Sequence, residues 1–211
     1  MVYRTVYEDG YVDYGGYDDG GTVLEEPLVG EGAVPAAPVG EQPLTPAQSM
    51  NRASDYYLVL GDRAFREGRY GDAVHFYAKA VEFAPNEGVL YLILSDALFA
   101  TGDYHYAAYT LRKAFELDPG IVDNIVDKHS FYADPVEFDR QIAVLERYLE
   151  DHFLDDDARL VLAANYLFGG RPAAAVDLLE SAFSQEVVKS PAGQVVLAGA
   201  EKIQYGEPVG K

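Results

Sequence analysis

From Thr45 onward the chain carries apolar residues at helical spacing, and glycine, proline or aspartate interrupts the pattern about every 15 to 20 residues. The first helix signal combines Thr45 as a cap, Pro46 at the first helical position and Gln48 at capping-box spacing. The interruptions fall at Gly68, Pro85, Gly102, Pro119, Asp134-Pro135, Asp155–Asp157, Gly169-Gly170 and Ser190-Pro191. This pattern predicts short antiparallel helices joined by tight turns.

The helical pattern repeats with a period of 34 residues, and units that begin at Ser54, Gly88, Val122 and Asp156 align without a gap. Small residues recur at two positions of the second helix. They are Ala73, Ala107 and Ala175 at the first position, and Ala80, Ala114 and Ala182 at the second. Because two helices approach to about 8 Å only where small residues meet, these positions predict the crossing points of helix pairs.

The first two units share a signature of an aromatic residue, Leu with Gly or Ser, Gly-x-Tyr, two spaced alanines and a closing proline. In the first unit it is Tyr57, Leu60, Gly61, Gly68, Tyr70, Ala73, Ala80 and Pro85; in the second it is Tyr91, Leu94, Ser95, Gly102, Tyr104, Ala107, Ala114 and Pro119. The signature resembles the tetratricopeptide repeat family, and the likeness covers about residues 54–185. The resemblance implies an all-α fold, a right-handed superhelix of helix–turn–helix pairs.

On this reading the repeat domain spans residues 45–205. Its units lie near 54–87, 88–121, 122–155 and 156–189, and residues 190–205 form a capping helix that covers the last exposed face. The third unit departs from the pattern, because His129, Gln141 and Tyr148 replace small residues. Two interpretations stay open: the unit repacks locally, or it bends the array and shapes a cleft.

Residues 1–44 are predicted to be a disordered acidic tail. The first 21 residues contain five tyrosines, five glycines and five acidic residues, and five prolines lie between positions 27 and 46. Such a stretch buries too little apolar surface to offset the entropy of ordering. Its tyrosines are interpreted as a solubilising extension, or as contacts for self-assembly or for a partner. The tail could also fold back on the repeats, which would make the protein an autoinhibited adaptor.

The net charge of −19 narrows the classes of partner that we expect for this chain. An acidic chain repels phosphate backbones and anionic lipids, so we expect neither nucleic acid nor membrane surface as a partner. The chain has no cysteine, no apolar run long enough to span a membrane, and no basic and apolar start typical of a secretion signal. The sequence therefore predicts a cytoplasmic protein that binds another protein with basic residues.

The family resemblance implies that the first helices of successive units line a concave groove for a partner segment. The residues that it assigns to the groove are Asp55, Leu58, Asp62, Phe65, Arg66, Val89, Leu92, Asp96, Phe99, Val126, Leu160 and Leu167. The partner would carry apolar anchors with lysine or arginine nearby. For Leu58 and Leu92, packing between helices is the alternative interpretation.

Enzymatic chemistry has little support in the sequence. The four histidines lack metal-ligand spacing, and the acidic run Asp155–Asp157 is explained by the dipole at a helix start. Phosphate-binding loops, nucleophile turns and dinucleotide fingerprints do not occur. We therefore expect no catalytic residue, no metal and no cofactor, although acidic residues are too common for a catalytic carboxylate pair to be excluded.

Overall fold

The structure of the protein is a computed structural model that describes residues 45–123 and 127–206. The predicted tail over residues 1–44 and the predicted groove residue Val126 lie outside these ranges. Within them the regular structure is entirely helical, as the sequence predicts. Among these helices, none is both long enough and apolar enough to cross a bilayer.

Nine α-helices follow one another in the described ranges. They are α1 (Pro46–Arg66), α2 (Tyr70–Phe83), α3 (Gly88–Thr101), α4 (Tyr104–Leu117), α5 (Val136–Asp151), α6 (Asp156–Phe168), α7 (Pro172–Leu179), α8 (Gln185–Lys189) and α9 (Pro191–Tyr205). Three short 3₁₀ turns accompany them, at Pro119–Asp123, Lys128–Phe131 and Ala182–Ser184.

The helix boundaries follow from local chemistry. At the start of α1, the Gln48 amide donates to the Thr45 hydroxyl and the Thr45 amide donates to the Gln48 side chain, so the predicted capping box is present. After α1 and α3, Gly68 and Gly102 adopt φ of 72° and 81°, a left-handed backbone that favours glycine. The chain can therefore reverse at both predicted turns.

Helices α1 and α2 form an antiparallel pair. The Ser54 hydroxyl donates to the Ala80 carbonyl oxygen at 3.0 Å, and the Tyr77 hydroxyl donates to Asp62 at 2.9 Å toward the other end of the pair. Where the helices cross, a Cβ on Gly61 would lie 2.3 Å from a ring carbon of Tyr77. The small residue that the repeat places here is thus required by the packing of the Tyr77 ring.

In its described residues, 122–123 and 127–155, the third predicted unit has no first α-helix of a pair. Two 3₁₀ turns lie in that part of the chain, and α6 packs directly against α4. Two of the bulky residues that depart from the repeat are repacked locally, His129 against Phe138 and Tyr148 against Tyr104. Local repacking is therefore the interpretation that the contacts support, and a bend of the array stays a prediction.

The junction between α4 and α6 holds a charged cluster. Arg112 and His105 of α4 both reach Asp157, with the His105 Nδ1 at 3.1 Å from a carboxylate oxygen. Asp155 lies 3.7 Å from the other ring nitrogen. The hydrogen bond to Asp157, supported by the charge of Asp155, raises the pKa of His105 above its ordinary value.

We expect Asp157→Asn to lower the pKa of His105, because its largest stabilising partner is removed. A raised pKa in the folded state means that this contact stabilises the fold fully at pH values below the unfolded pKa of about 6.5 and that the contribution is lost as pH rises through the folded value. An NMR titration of the histidine ring measures the shift. Glu116→Gln, on the same helix as His105, is the control. An equal change in the pKa of His105 in that variant would contradict the assignment of Asp157 as its main partner.

The C-terminal end of the array is covered by α9, as predicted for the capping helix. Ser190 accepts a hydrogen bond from the Gly193 amide at 3.1 Å and so caps the helix. Val196 and Ala200 are fully buried, and α9 packs against α4, α6, α7 and α8. At Gly199 an added Cβ would lie 3.0 Å from Val122, which shows how closely α9 approaches the turn after α4.

Candidate interaction surface

The residues predicted to line the groove fall into two groups in the structure. Phe65, Leu92, Phe99, Leu160 and Leu167 are all buried, with at most 6% of their surface exposed. Asp55 and Arg66 are exposed, and Leu58, Asp62, Val89 and Asp96 are partly buried. The prediction that the first five of these residues line an open groove does not describe this structure, because their side chains are buried.

A segment that we call the strap, residues 127–135 just before α5, covers part of this buried group. Its Lys128 is 3% exposed and lies between α3 and α6. The ammonium group donates to Asp96 at 2.5 Å and to the Asn165 side-chain oxygen at 3.0 Å, and it lies 5.2 Å from the centre of the Phe168 ring. One lysine therefore joins the strap to two helices through a buried ion pair.

The second anchor of the strap is Tyr132, which packs over the first helix pair. Its ring centre lies 4.9 Å from that of Phe65 and 6.1 Å from that of Tyr70. The hydroxyl donates to Gln141 of α5 at 2.7 Å, and burial raises the pKa of Tyr132. The aromatic side chain that α1 was expected to offer to a partner is thus in contact with the chain's own tyrosine.

Helix α5 completes the cover through Phe138, which is 1% exposed. Its ring lies 6.3 Å from that of Phe99 and 5.8 Å from that of Tyr132. At the end of α6, a Cβ on Gly169 would lie 2.6 Å from the Asn165 carbonyl oxygen and 2.7 Å from the Phe138 ring, so even alanine at this position would force a shift. Phe138 and the strap together bury the middle of the face that the first helices share.

An open part of that face remains along α1 and the start of α3. The carboxylates of Asp55 and Asp62 lie on the same side of α1 as Leu58, and Val89 is partly exposed at the start of α3. Burial raises the pKa of Asp62, and the hydrogen bond from Tyr77 and the charge of Arg66 oppose that rise. Burial also raises the pKa of Asp55. These groups can accept hydrogen bonds from lysine or arginine beside apolar contacts.

The helix pair α1–α2 is the part of the chain that matches a known family. Residues 54–87, which include most of α1 and the whole of α2, match the family model of the tetratricopeptide repeat. The chain therefore contains a tetratricopeptide repeat. No curated protein matches it.

Among solved structures, that of the MamA protein is similar to this chain at 18% identity. The alignment covers 76% of this chain and 99% of that chain, with a TM-score of 0.34. A likeness of that degree carries no argument about the function of this chain. The repeat match itself supports a role in protein interaction, and in the described ranges no three His, Asp or Glu side chains are grouped to hold a metal ion.

The strap was missed by sequence reasoning, although it left a signal in the alignment of the repeats. Lys128 occupies the position that holds Leu60, Leu94 and Leu162 in the other units. A charged residue in a position that is otherwise apolar requires a buried partner of opposite charge. Asp96 on the preceding first helix provides it. In a tetratricopeptide repeat protein, such a substitution is a sign that the unit does not form a regular pair.

Proposed function

We propose that this protein is a non-enzymatic scaffold that binds a segment of another protein along the open part of its inner face. The proposed contacts are Asp55 and Asp62 for basic residues of the partner, and Leu58 and Val89 for its apolar anchors. The tetratricopeptide repeat at residues 54–87 supports the general role. The proposal includes a cytoplasmic location and no cofactor, as expected from the composition.

One observation carries the proposal for the partner's chemistry. The strap already presents a lysine and an aromatic residue to the inner face, and the face receives them with Asp96 and with the rings of Phe65 and Phe168. Carboxylates beside apolar surface therefore suit basic and apolar anchors on this face. The same two kinds of group, Asp55 with Leu58, remain open on the neighbouring α1. A partner segment with alternating basic and apolar residues fits them.

We expect replacement of both Asp55 and Asp62 by asparagine to weaken binding about fivefold to thirtyfold, because partly exposed charge pairs contribute about 0.5–1 kcal/mol each. The partner is first identified by affinity capture with the intact chain and mass spectrometry, and then titrated against the variants by calorimetry. The wild-type complex should weaken as salt rises. Asp177→Asn on α7 is the matched control, since Asp177 is exposed and lies on a second helix.

Equal affinity of the wild type and the Asp55→Asn/Asp62→Asn variant would place the partner elsewhere on the molecule. Turnover of a substrate by the purified chain, lost in the same variant, would contradict the non-enzymatic role.

A further inference from the structure

A second surface of α1, on its solvent side, carries basic and apolar residues in a regular stripe. We call it the α1 stripe: Arg52, Tyr56, Val59, Arg63 and Arg66, which follow one another at steps of four, three, four and three residues. Such steps place side chains on one face of a helix. All five are exposed, and the large apolar residues Tyr56 and Val59 have 50% and 58% of their surface in solvent.

The charges of the α1 stripe are unusual for this acidic chain. In residues 45–123 and 127–206, the Lys and Arg side chains without a carboxylate within 4 Å are Arg52, Arg63, Arg66 and Arg147. Three of these four lie in the stripe. Apart from Arg147, the described lysines and arginines elsewhere form ion pairs, so unpaired positive charge is concentrated on one helix face. That face attracts carboxylates more strongly than the rest of the described surface.

The repeat register shows what kind of surface the stripe is. Positions 34 residues after Tyr56, Val59 and Arg63 are Leu90, Ile93 and Ala97 of α3, and all three are buried. The positions 102 residues after the same three are Ala158, Val161 and Asn165 of α6, and they are buried too.

In each later case the second helix of a preceding pair packs against the first helix that carries these residues. Helix α2 packs against α3, and α4 packs against α6. At α1 the described chain has no preceding pair, so the equivalent surface faces solvent while it keeps a tyrosine and a valine. The α1 stripe is therefore a repeat-to-repeat packing surface that no described helix covers.

The length of α1 adds to this surface. Helix α1 has 21 residues and α3 has 14, which at 1.5 Å per residue corresponds to about 31 Å and 21 Å. The extra turns precede Ser54, where the first repeat unit begins, and they carry Arg52. A helix that lies along α1 can thus meet positive charge at both ends of the stripe and apolar surface between them.

We propose that the α1 stripe docks an acidic amphipathic helix of another protein, which takes the place that the second helix of a preceding repeat would occupy. Its apolar residues lie against Tyr56 and Val59, and its carboxylates pair with Arg52, Arg63 and Arg66. A helix is the occupant that the register specifies, since helices cover the equivalent positions on α3 and α6. Glutamate and aspartate are specified by the unpaired arginines. This site borders the inner face, where Arg66 lies one helical turn from Asp62, and it takes a partner of opposite charge.

The test uses the full chain and a fluorescent synthetic peptide of about 20 residues, long enough to form a helix, with leucines on one face and glutamates beside them. Fluorescence anisotropy should show saturable binding. The Arg52→Glu/Arg63→Glu variant should bind at least tenfold more weakly. Arg147→Glu removes the fourth unpaired arginine, on α5, and should leave binding unchanged. A peptide with lysine in place of glutamate should not bind, and circular dichroism confirms that the variants keep their helices.

Absence of saturable binding, or an equal loss in Arg147→Glu, would overturn the proposal. Two further results would replace the partner with another occupant and overturn it as well. A dimer of the wild-type chain that Val59→Asp dissociates would identify a second copy on the stripe. Peptide binding that appears only after the acidic residues of positions 1–44 are neutralised would identify the chain's own N-terminal segment.

Discussion

Replacement of Lys128 by alanine is expected to destabilise the folded chain by about 3–5 kcal/mol, because it breaks a buried ion pair and leaves one charge without its partner. Lys128 is 3% exposed, and its ammonium group donates to both Asp96 and Asn165. Its removal leaves the Asp96 carboxylate in a buried site and frees the strap from α3 and α6. Urea unfolding followed by circular dichroism measures the loss.

The pH dependence of the Lys128→Ala variant distinguishes a charge effect from lost packing. Burial already raises the pKa of Asp96, and the charge and hydrogen bond of Lys128 oppose that rise. Without Lys128 the pKa rises further, so Asp96 is protonated more readily and its charge is no longer buried at low pH. The variant should therefore lose less stability at pH 5 than at pH 7.5.

Two control variants test whether the loss of stability in Lys128→Ala comes from the buried ion pair. Lys189→Ala removes a lysine whose ion pair with Glu186 is mostly exposed, and its effect should stay below about 0.5 kcal/mol. Lys128→Met combined with Asp96→Leu replaces both charges with apolar groups and should recover most of the stability. If Lys128→Ala costs no more than Lys189→Ala, the strap is not held by this ion pair.

Replacement of Phe99 by alanine is expected to cost about 3–5 kcal/mol of folding free energy, as large-to-small changes in a core do. Phe99 is 2% exposed and packs against the rings of Phe138 and Tyr104. A cavity would open where α3 meets α5. Thermal and urea unfolding should both show the loss, and partner binding would fall only because less of the chain is folded.

The controls for Phe99 lie on neighbouring helices. Tyr109→Ala on α4 removes an aromatic residue that is 52% exposed and should change stability little. A double-mutant cycle of Phe99 and Phe138 should give a coupling of about 0.5–1.5 kcal/mol, as expected for an aromatic pair. If Phe99→Ala keeps its stability but loses partner binding, Phe99 does not belong to the core, and its predicted position in the groove is supported.

The two proposed surfaces differ in the sign of their charge. Asp55 and Asp62 border the open inner face, whereas Arg52, Arg63 and Arg66 form the α1 stripe. Helix α1 therefore presents carboxylates and guanidinium groups on adjoining surfaces. If both proposals hold, a basic segment and an acidic helix bind the same repeat without competition, and this can be measured by titrating one in the presence of the other.

The sequence by itself determined the features that depend on neighbouring residues. Thr45 with Gln48 began the first helix, Gly68 and Gly102 allowed the chain to reverse, and the repeat signature included Gly61, where α1 and α2 cross. Caps, left-handed turns and the packing of one helix on the next all act over short distances along the chain. They can therefore be predicted from local patterns in the sequence.

Only the tertiary structure decided which face of the first helices stays open. Phe65 and Phe99 have the same periodicity whether they line a groove or a core, and their burial depends on Tyr132 and Phe138 of a later unit. Lys128 meets Asp96 across 32 residues of chain and Asn165 across 37. A buried charge requires a partner, which can lie far away in the sequence. Helical periodicity does not predict which residue that partner is.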